Sequence, residues 1–282
     1  MTNWFIETLH PWWNQGLRTE KFLYRGETEH QELVIFENAK FGRVLALDGV
    51  IQTTEGDEFI YHEMLTHVPL TAHGNAKHVL IIGGGDGGMA REVLKHPEVQ
   101  HVTMVEIDRT VVDMSRVYLP SLNDGAFTDQ RLEIIITNGA NYIAETRHQF
   151  DVIIIDSTDP VGPGAVLFSE EFYSTCSRCL TDNGILVTQN GVPYLQSSLI
   201  TDSWNRLRKS FIDVYFFVAP IPTYQGGFMA FGWACNHKNV RNAELCIIED
   251  RFASSPFKTQ YYTPSIHLGS FALPKFILNL LQ

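Results

Sequence analysis

An α/β fold with a mostly parallel sheet, preceded by a small antiparallel β unit, is predicted from three observations. From residue 76 onward, apolar runs recur between amphipathic segments of helical length. Near-continuous apolar runs of this kind mark strands covered on both faces. The first of them leads into a glycine loop, Gly83-Gly84-Gly85-Asp86-Gly87-Gly88. Before residue 65, short apolar segments are joined by tight turns, with no β-α-β alternation.

The elements follow in order. Leu33 to Phe36 is expected as a strand, Asn38 to Gly42 as a turn and Arg43 to Leu47 as a second strand. Asp48-Gly49 makes a hairpin turn, and Val50 to Thr54 returns. A helix is expected from about Asp57 through Thr71, with Phe59, Met64 and Leu65 among its apolar positions. Strands are then predicted at 78–82, 102–107, 132–136, 152–155 and 185–187, and again at 214–219 and 227–235. Pro220 to Gly226 is too short for a crossover helix, so the last two strands should be antiparallel. The tail, 237–282, reads as ordered and helical. The expected division is a β-strand domain at 1–65 and a catalytic domain at 66–282.

Bulk properties narrow the function. A chain of 282 residues, 44% hydrophobic and 19% charged, can bury a large core. Its net charge of -11 argues against nucleic acid as a partner, because that binding needs Lys and Arg on phosphates, and it permits a cationic small molecule. No run of 18 apolar residues suggests a membrane span, and the first residues lack signal-peptide character, so a cytoplasmic location is expected. Four cysteines do not make a disulfide framework. Cys176 and Cys179 read as two sulfurs on one helical turn, packed at least partly in the core, and no metal site is expected.

The glycine loop matches G-x-G-x-x-G, the opening of a dinucleotide-binding unit. Asp86 argues against that ligand. A dinucleotide sets its pyrophosphate on this turn, where a carboxylate would repel it, and the loop holds no Lys or Arg. A nucleoside with a positive charge nearby, such as an adenosyl sulfonium compound, suits the loop better.

In open α/β sheets, ligands bind outside the carboxyl ends of the strands. Glu106, 23 positions after Gly83, is placed to hold ribose hydroxyls. Asn138 stands where adenine edge contacts would fall, and fits a turn residue equally well. Asp156 ends an apolar run, where a carboxylate is costly without a partner. Asp159 also fits a plain Asp-Pro turn. With Asp86, these acids would put three carboxylates at one mouth, and the simplest missing partner is a substrate cation. Tyr61 and His62 are adjacent on one helix, so only one is expected to point fully into the cleft.

Taken together, these motifs resemble the spermidine synthases, a family of aminopropyltransferases, and His62 with the short N-terminus is similar to their enterobacterial branch. The resemblance runs through His30-Gln31, Leu47 to Gln52, Asp57 to Met64, the glycine loop, Val105 to Asp108, Asp156 to Pro163 and Ile221 to Tyr224. Five parallel strands ending in an antiparallel hairpin likewise resemble the methyltransferase-like variant of the Rossmann fold, a mostly parallel seven-stranded sheet.

The resemblance implies transfer of an aminopropyl group from decarboxylated S-adenosylmethionine to putrescine, giving spermidine and methylthioadenosine. The sulfonium compound is a co-substrate, and no other cofactor is implied. Gln31, Gln52, Glu106, Asn138, Gly139 and Pro163 would hold the thioadenosine part, with Asp86 on the aminopropyl ammonium. Asp156 would accept the proton of the attacking amine. Tyr61, His62, Ser157, Thr158, Asp159, Gln189 and Tyr224 would line the diamine channel, with Trp12 at its far end. Residues 157–168 would close over the ligands, and a homodimer through the N-terminal unit is implied. Family members usually carry Asp where this chain has Asn138.

Three rivals remain at this stage. They are a diamine N-methyltransferase using ordinary S-adenosylmethionine, a polyamine or nucleoside sensor without turnover, and an NAD-dependent dehydrogenase, the last disfavoured by Asp86. Cadaverine stands beside putrescine as an acceptor.

Overall fold

The computed structural model describes residues 3–160 and 162–282, without the side chains of Gly162 and Pro163. The N-terminal unit has six strands. β1 (Asn3–His10) and β2 (Trp13–Thr19) form a separate hairpin. β3 (Lys21–Glu27), β4 (Glu32–Asn38), β5 (Gly42–Leu47) and β6 (Val50–Thr54) form a four-stranded antiparallel sheet. Asp48 and Gly49 turn the β5–β6 hairpin with φ of 48° and 77°, the left-handed pair that a tight hairpin requires. The last three strands match the sequence expectation. The first three lie beyond it, because their side chains are largely exposed and leave no apolar run to read.

α1 (Glu58–His73) is buried on nearly every face and ends at Gly74, whose left-handed backbone donates to the Leu70 carbonyl. The expected division at 65/66 falls inside this helix.

The large sheet comprises β7 (His78–Gly83), β8 (His101–Glu106), β9 (Leu132–Ile136), β10 (Phe150–Asp156), β11 (Leu180–Gln189), β12 (Asp213–Pro220) and β13 (Phe228–Cys235). Their order is β12-β13-β11-β10-β7-β8-β9. The five strands β7 to β11 are parallel, and β13 runs antiparallel between β11 and β12. This is the seven-stranded, methyltransferase-like arrangement that the resemblance implies. Strand alternation splits the core. Val79, Ile81, Val152 and Ile154 pack with α1 on one face, while Leu80, Ile82, Ile153 and Ile155 pack on the other. Each such side chain contributes about 1.5–3 kcal/mol by leaving water.

Helices cover both faces: α2 (Gly88–Leu94), α3 (Arg109–Tyr118), α4 (Pro120–Asn123), α5 (Gly139–Glu145), α6 (Glu170–Cys179) and α7 (Ser197–Leu207). The tail adds α8 (Leu245–Ala253), α9 (Pro264–Ser270) and α10 (Lys275–Leu278). Cys176 and Cys179 are both buried on α6. Among the described residues, no helix is long and apolar enough to cross a membrane.

The strand order fixes where a ligand can sit. After β7 the chain winds outward to β9, then returns to place β10 on the other side of β7. The carboxyl ends of β7 and β10 therefore lie side by side, with Asp156 opposite Gly83. That reversal opens a crevice beyond the strand ends.

Candidate active site

A cavity of about 500 Å³ fills the crevice, and the N-terminal unit walls its open side with Gln31, Gln52, Glu7 and Trp13. The glycine loop forms its floor for a reason local to this chain. A side chain at Gly83, where φ is 91°, would strike the Asp156 backbone, and the Gly84 N–H donates to the Asp156 carbonyl at 3.1 Å. The glycines thus let β10 deliver its terminal carboxylate against the loop.

Asp156 is enclosed. Tyr61 donates to its Oδ1 at 2.7 Å. Burial, and then the like charge of Asp86, push its carboxyl up to about 6, against the opposing pull of His62 and the Tyr61 hydrogen bond. Asp86 accepts from the Gly88 N–H at 2.7 Å, and its Oδ2 lies 3.6 Å from His62 Nε2. Burial works against ionisation of Asp86, yet the His62 charge and these contacts hold its carboxyl below the usual range.

Tyr61 and His62 both reach the cavity, which corrects the expectation that only one would. The first turn of α1 faces the strand ends, and neighbouring side chains straddle the crevice from there. Tyr61 goes to Asp156 and His62 to Asp86. His62 Nδ1 also meets Glu58 Oε2 at 2.5 Å. Burial alone would lower the imidazole pKa. Asp86 and Glu58 outweigh it and raise the ring to about 10. The carboxylates are therefore not left entirely to a substrate cation, because His62 brings one.

Glu106 is buried at the end of β8, where its Oε1 accepts from the Asp108 N–H at 2.9 Å. Burial first, and the neighbouring acids next, push it up to about 7 against its backbone hydrogen bonds. Gln31 comes from the turn before β4 and is held by Asp108 at 3.2 Å, beside Thr28 on the same carboxylate. Gln52 lines the wall from β6, with its amide on the Val50 carbonyl at 3.2 Å. Asn138 caps α5: its Oδ1 accepts from Ala140 at 2.9 Å and Asn141 at 3.3 Å. The side-chain oxygen is therefore engaged by the helix it caps. Gly139 lines the same end. The Pro163 side chain lies outside the described residues.

At the other end, Asp159 is clamped by two amides, Gln189 Nε2 at 3.4 Å and Gln196 Nε2 at 2.7 Å. Ser157 and Thr158 line the wall between the two ends, and Tyr224 donates to the Gln52 carbonyl. Trp12 is exposed and stacks on His10, and Trp13 takes the wall position instead.

Glu7 and Gln196 were not anticipated. Glu7 crosses from β1, accepts from Gln15 at 3.1 Å and the Ile51 N–H at 2.8 Å, and is raised by burial and by Asp159. Gln15 in turn donates to the Thr223 carbonyl at 2.7 Å, and Thr223 donates twice to Asp57 at the start of α1. The hairpin is thereby pinned across the mouth. No short motif announces either residue; only the long-range pairing brings them in.

Among the described residues, no group of three His, Cys, Asp or Glu side chains is placed to hold a metal. The arrangement offers a buried acid, Glu106, at one end, two carboxylates about a hydroxyl and an imidazole in the middle, and an acidic pair at the far end.

Known proteins resemble this chain along nearly its whole length. The spermine/spermidine synthase domain model matches residues 58–244, and the spermidine synthase tetramerisation domain model matches residues 3–55. The polyamine aminopropyltransferase of Pseudomonas syringae pv. tomato is 56% identical over 98% of this chain and 96% of its own length. That of Pectobacterium carotovorum subsp. carotovorum is 53% identical over 99% of this chain and 97% of its own. A crystal structure of spermidine synthase in complex with the transition state analogue AdoDATO superposes with a TM-score of 0.94 at 38% identity, covering 99% of this chain and 94% of that one.

Proposed function

The chain belongs to the spermine/spermidine synthase family, and from that premise we propose how its cleft moves an aminopropyl group from decarboxylated S-adenosylmethionine to putrescine. Spermidine forms and methylthioadenosine leaves. The observation that carries the reading is the enclosed Asp156, bonded to Tyr61 and flanked by Asp86 at the meeting of β7 and β10.

The chemistry is a direct displacement at the methylene beside the sulfonium. The sulfur departs neutral, so it needs no acid and no cofactor. The amine is the difficult partner. With a pKa near 10, only about one alkylamine in a thousand is neutral at pH 7. Asp156 is the proton acceptor, and burial makes it a better base than an exposed carboxylate. Positioning supplies much of the rest, since well-oriented pairs gain roughly 7–11 kcal/mol.

Gln31, Gln52, Glu106, Asn138 and Gly139 hold the thioadenosine, and Asp86 faces the donor ammonium. An α-carboxylate on ordinary S-adenosylmethionine would meet Asp86 with like charge. Tyr61, His62, Ser157, Thr158, Gln189 and Tyr224 shape the diamine channel. Asp159, with Glu7 beyond it, takes the distal ammonium of a four-carbon diamine. Cadaverine is one methylene longer, a difference typically worth about 1–3 kcal/mol. Nothing supports the diamine N-methyltransferase alternative.

The same reading sets the division between the two units in the turn before α1, because that helix packs on β10, β11 and β12. It assigns the chain a cytoplasmic location. It also joins two copies through the N-terminal unit, where Trp4, Ile6 and Phe22 are exposed.

Replacing Asp156 with Asn tests the assignment. Turnover should fall at least about 100-fold, with both ligands still bound. Turnover near the wild-type rate removes Asp156 from the role.

A further inference from the structure

Glu58 has no place in the displacement itself, yet it is 9% exposed and fully engaged. Its Oε2 holds His62 Nδ1 at 2.5 Å, and Arg91 forks onto both of its oxygens, NH1 to Oε1 at 3.1 Å and NH2 to Oε2 at 2.9 Å. Arg91 is itself fixed by Glu92 at 2.8 Å and by the Leu122 carbonyl at 2.7 Å. On the far side of the ring, Nε2 points at Asp86. A chain of alternating charge thus runs from Arg91 on α2 through Glu58 and His62 to Asp86 in the loop.

Gly88 supplies an independent observation. A Cβ at this position would overlap three atoms of the His62 ring. The last glycine of the loop is therefore the seat of the imidazole. Its absent side chain lets the ring lie against the start of α2.

We propose that Glu58, braced by Arg91, is a positioning residue for aminopropyl transfer: it holds His62 as an imidazolium against Asp86, so that the cleft keeps one cation of its own among its carboxylates. The proposal rests on the assignment of Asp156 as proton acceptor. Two buried carboxylates at the meeting of β7 and β10 repel each other, and that repulsion favours a protonated, useless Asp156. His62 opposes it. The charged and titratable groups about His62 are Glu58 and Tyr61 on its own helix, Asp86 in the loop and Asp156 at the end of β10, with Arg91 on α2 bonded to the same Glu58 oxygen and acting on Asp86. Without Glu58 the ring loses one of its two anions, sheds its proton more readily, and leaves the repulsion between Asp86 and Asp156 unopposed. Removing the Glu58 charge acts the other way on Asp156, but His62 is the group that acts on Asp156 directly.

The test reads the charge on the ring and its effect separately. In wild-type enzyme without ligands, imidazole ¹⁵N shifts of His62 should report both nitrogens protonated up to about pH 9, well past the ordinary histidine value. In Glu58→Gln the ring should titrate at least about four pH units lower, so that it is neutral in the range where Asp156 titrates. The acid limb of the kcat/KM profile, which reports Asp156, should move up by about one unit, and Glu58→Asp should restore part of both shifts. A wild-type His62 that titrates near 6.5 overturns the proposal, and this measurement stands even if the Gln variant does not fold. A Gln variant with unchanged ring charge and an unchanged acid limb overturns it as well. Loss of the Asp156 assignment would show in the Asp156→Asn turnover, whereas the His62 titration would be unaffected.

Discussion

His62 and His67 lie five positions apart on α1, and both are buried to within 2%, yet they carry different charge. His62 is raised to about 10, and His67 is lowered to about 4. Burial acts in the same direction on both rings, disfavouring the cation. The difference lies in what the neighbouring acids already hold. Glu92 bonds His67 Nε2 at 3.1 Å, but its other oxygen serves Arg91 at 2.8 Å and Lys95 at 2.7 Å. His96 contacts the remaining nitrogen, Nδ1, at 2.9 Å. A neutral His67 fits that setting, donating to Glu92 and accepting from His96. His62 has Glu58, itself forked by Arg91, and also Asp86, which no Lys or Arg bonds among the described residues. One helix therefore presents a charged ring to the reaction cleft and a neutral ring to the structural core. Unmatched anions, rather than depth, set the charge.

The largest effect that sharpens this contrast concerns Asp86. If its charge faces the cleft despite His62, calorimetry should show the decarboxylated donor bound more tightly than ordinary S-adenosylmethionine, on the order of 100-fold. Asp86→Asn should remove most of that preference. Equal binding of both donors by the wild-type enzyme would mean that His62 cancels Asp86 completely.

A smaller effect is expected at the far acidic pair, where side-chain amides bond the acids, Gln15 on Glu7 and Gln189 and Gln196 on Asp159. Glu7→Gln should raise the KM for putrescine on the order of tenfold, with kcat changed no more than about threefold, because the distal ammonium is held equally before and during displacement. A fall in kcat with KM unchanged would place Glu7 near the reacting atoms instead.

The smallest effect is on stability, and here the two histidines pull in opposite directions. An unfolded chain protonates histidine near pH 6.5. His67, lowered to about 4 when folded, contributes stability that is complete above pH 6.5 and is lost as pH falls from there toward 4. His62, raised to about 10, contributes stability that is complete below pH 6.5 and is lost as pH rises toward 10. Urea midpoints should therefore decline on both sides. His67→Gln should flatten the acid side, and His62→Gln the alkaline side. A variant that shifts the midpoint equally at all pH values would show packing loss and no titration.

The same contrast explains what could be read from the chain. The large sheet was legible because β7 to β11 are buried on both faces, and buried parallel strands leave apolar runs such as Val79 to Ile82. β1 to β3 were not, since their alternating side chains stay mostly in water. Asp86, Glu106 and Asp156 could be placed because strand ends and the glycine loop fix them in one dimension. The charge of His62 could not, because it depends on Arg91 and on the empty side of Gly88, both brought in by tertiary packing. Glu7 is held at the cleft by the Ile51 N–H and by Gln15, which is itself tied to Asp57 through Thr223 by links that span more than 150 positions in sequence.

One measurement bears on the whole account. Purified enzyme is given a decarboxylated sulfonium donor or ordinary S-adenosylmethionine, together with putrescine, and the products are weighed by mass spectrometry. The account predicts methylthioadenosine and an acceptor heavier by about 57 mass units, from the decarboxylated donor alone. No methylthioadenosine, or an acceptor heavier by about 14 mass units from the ordinary donor, would contradict it.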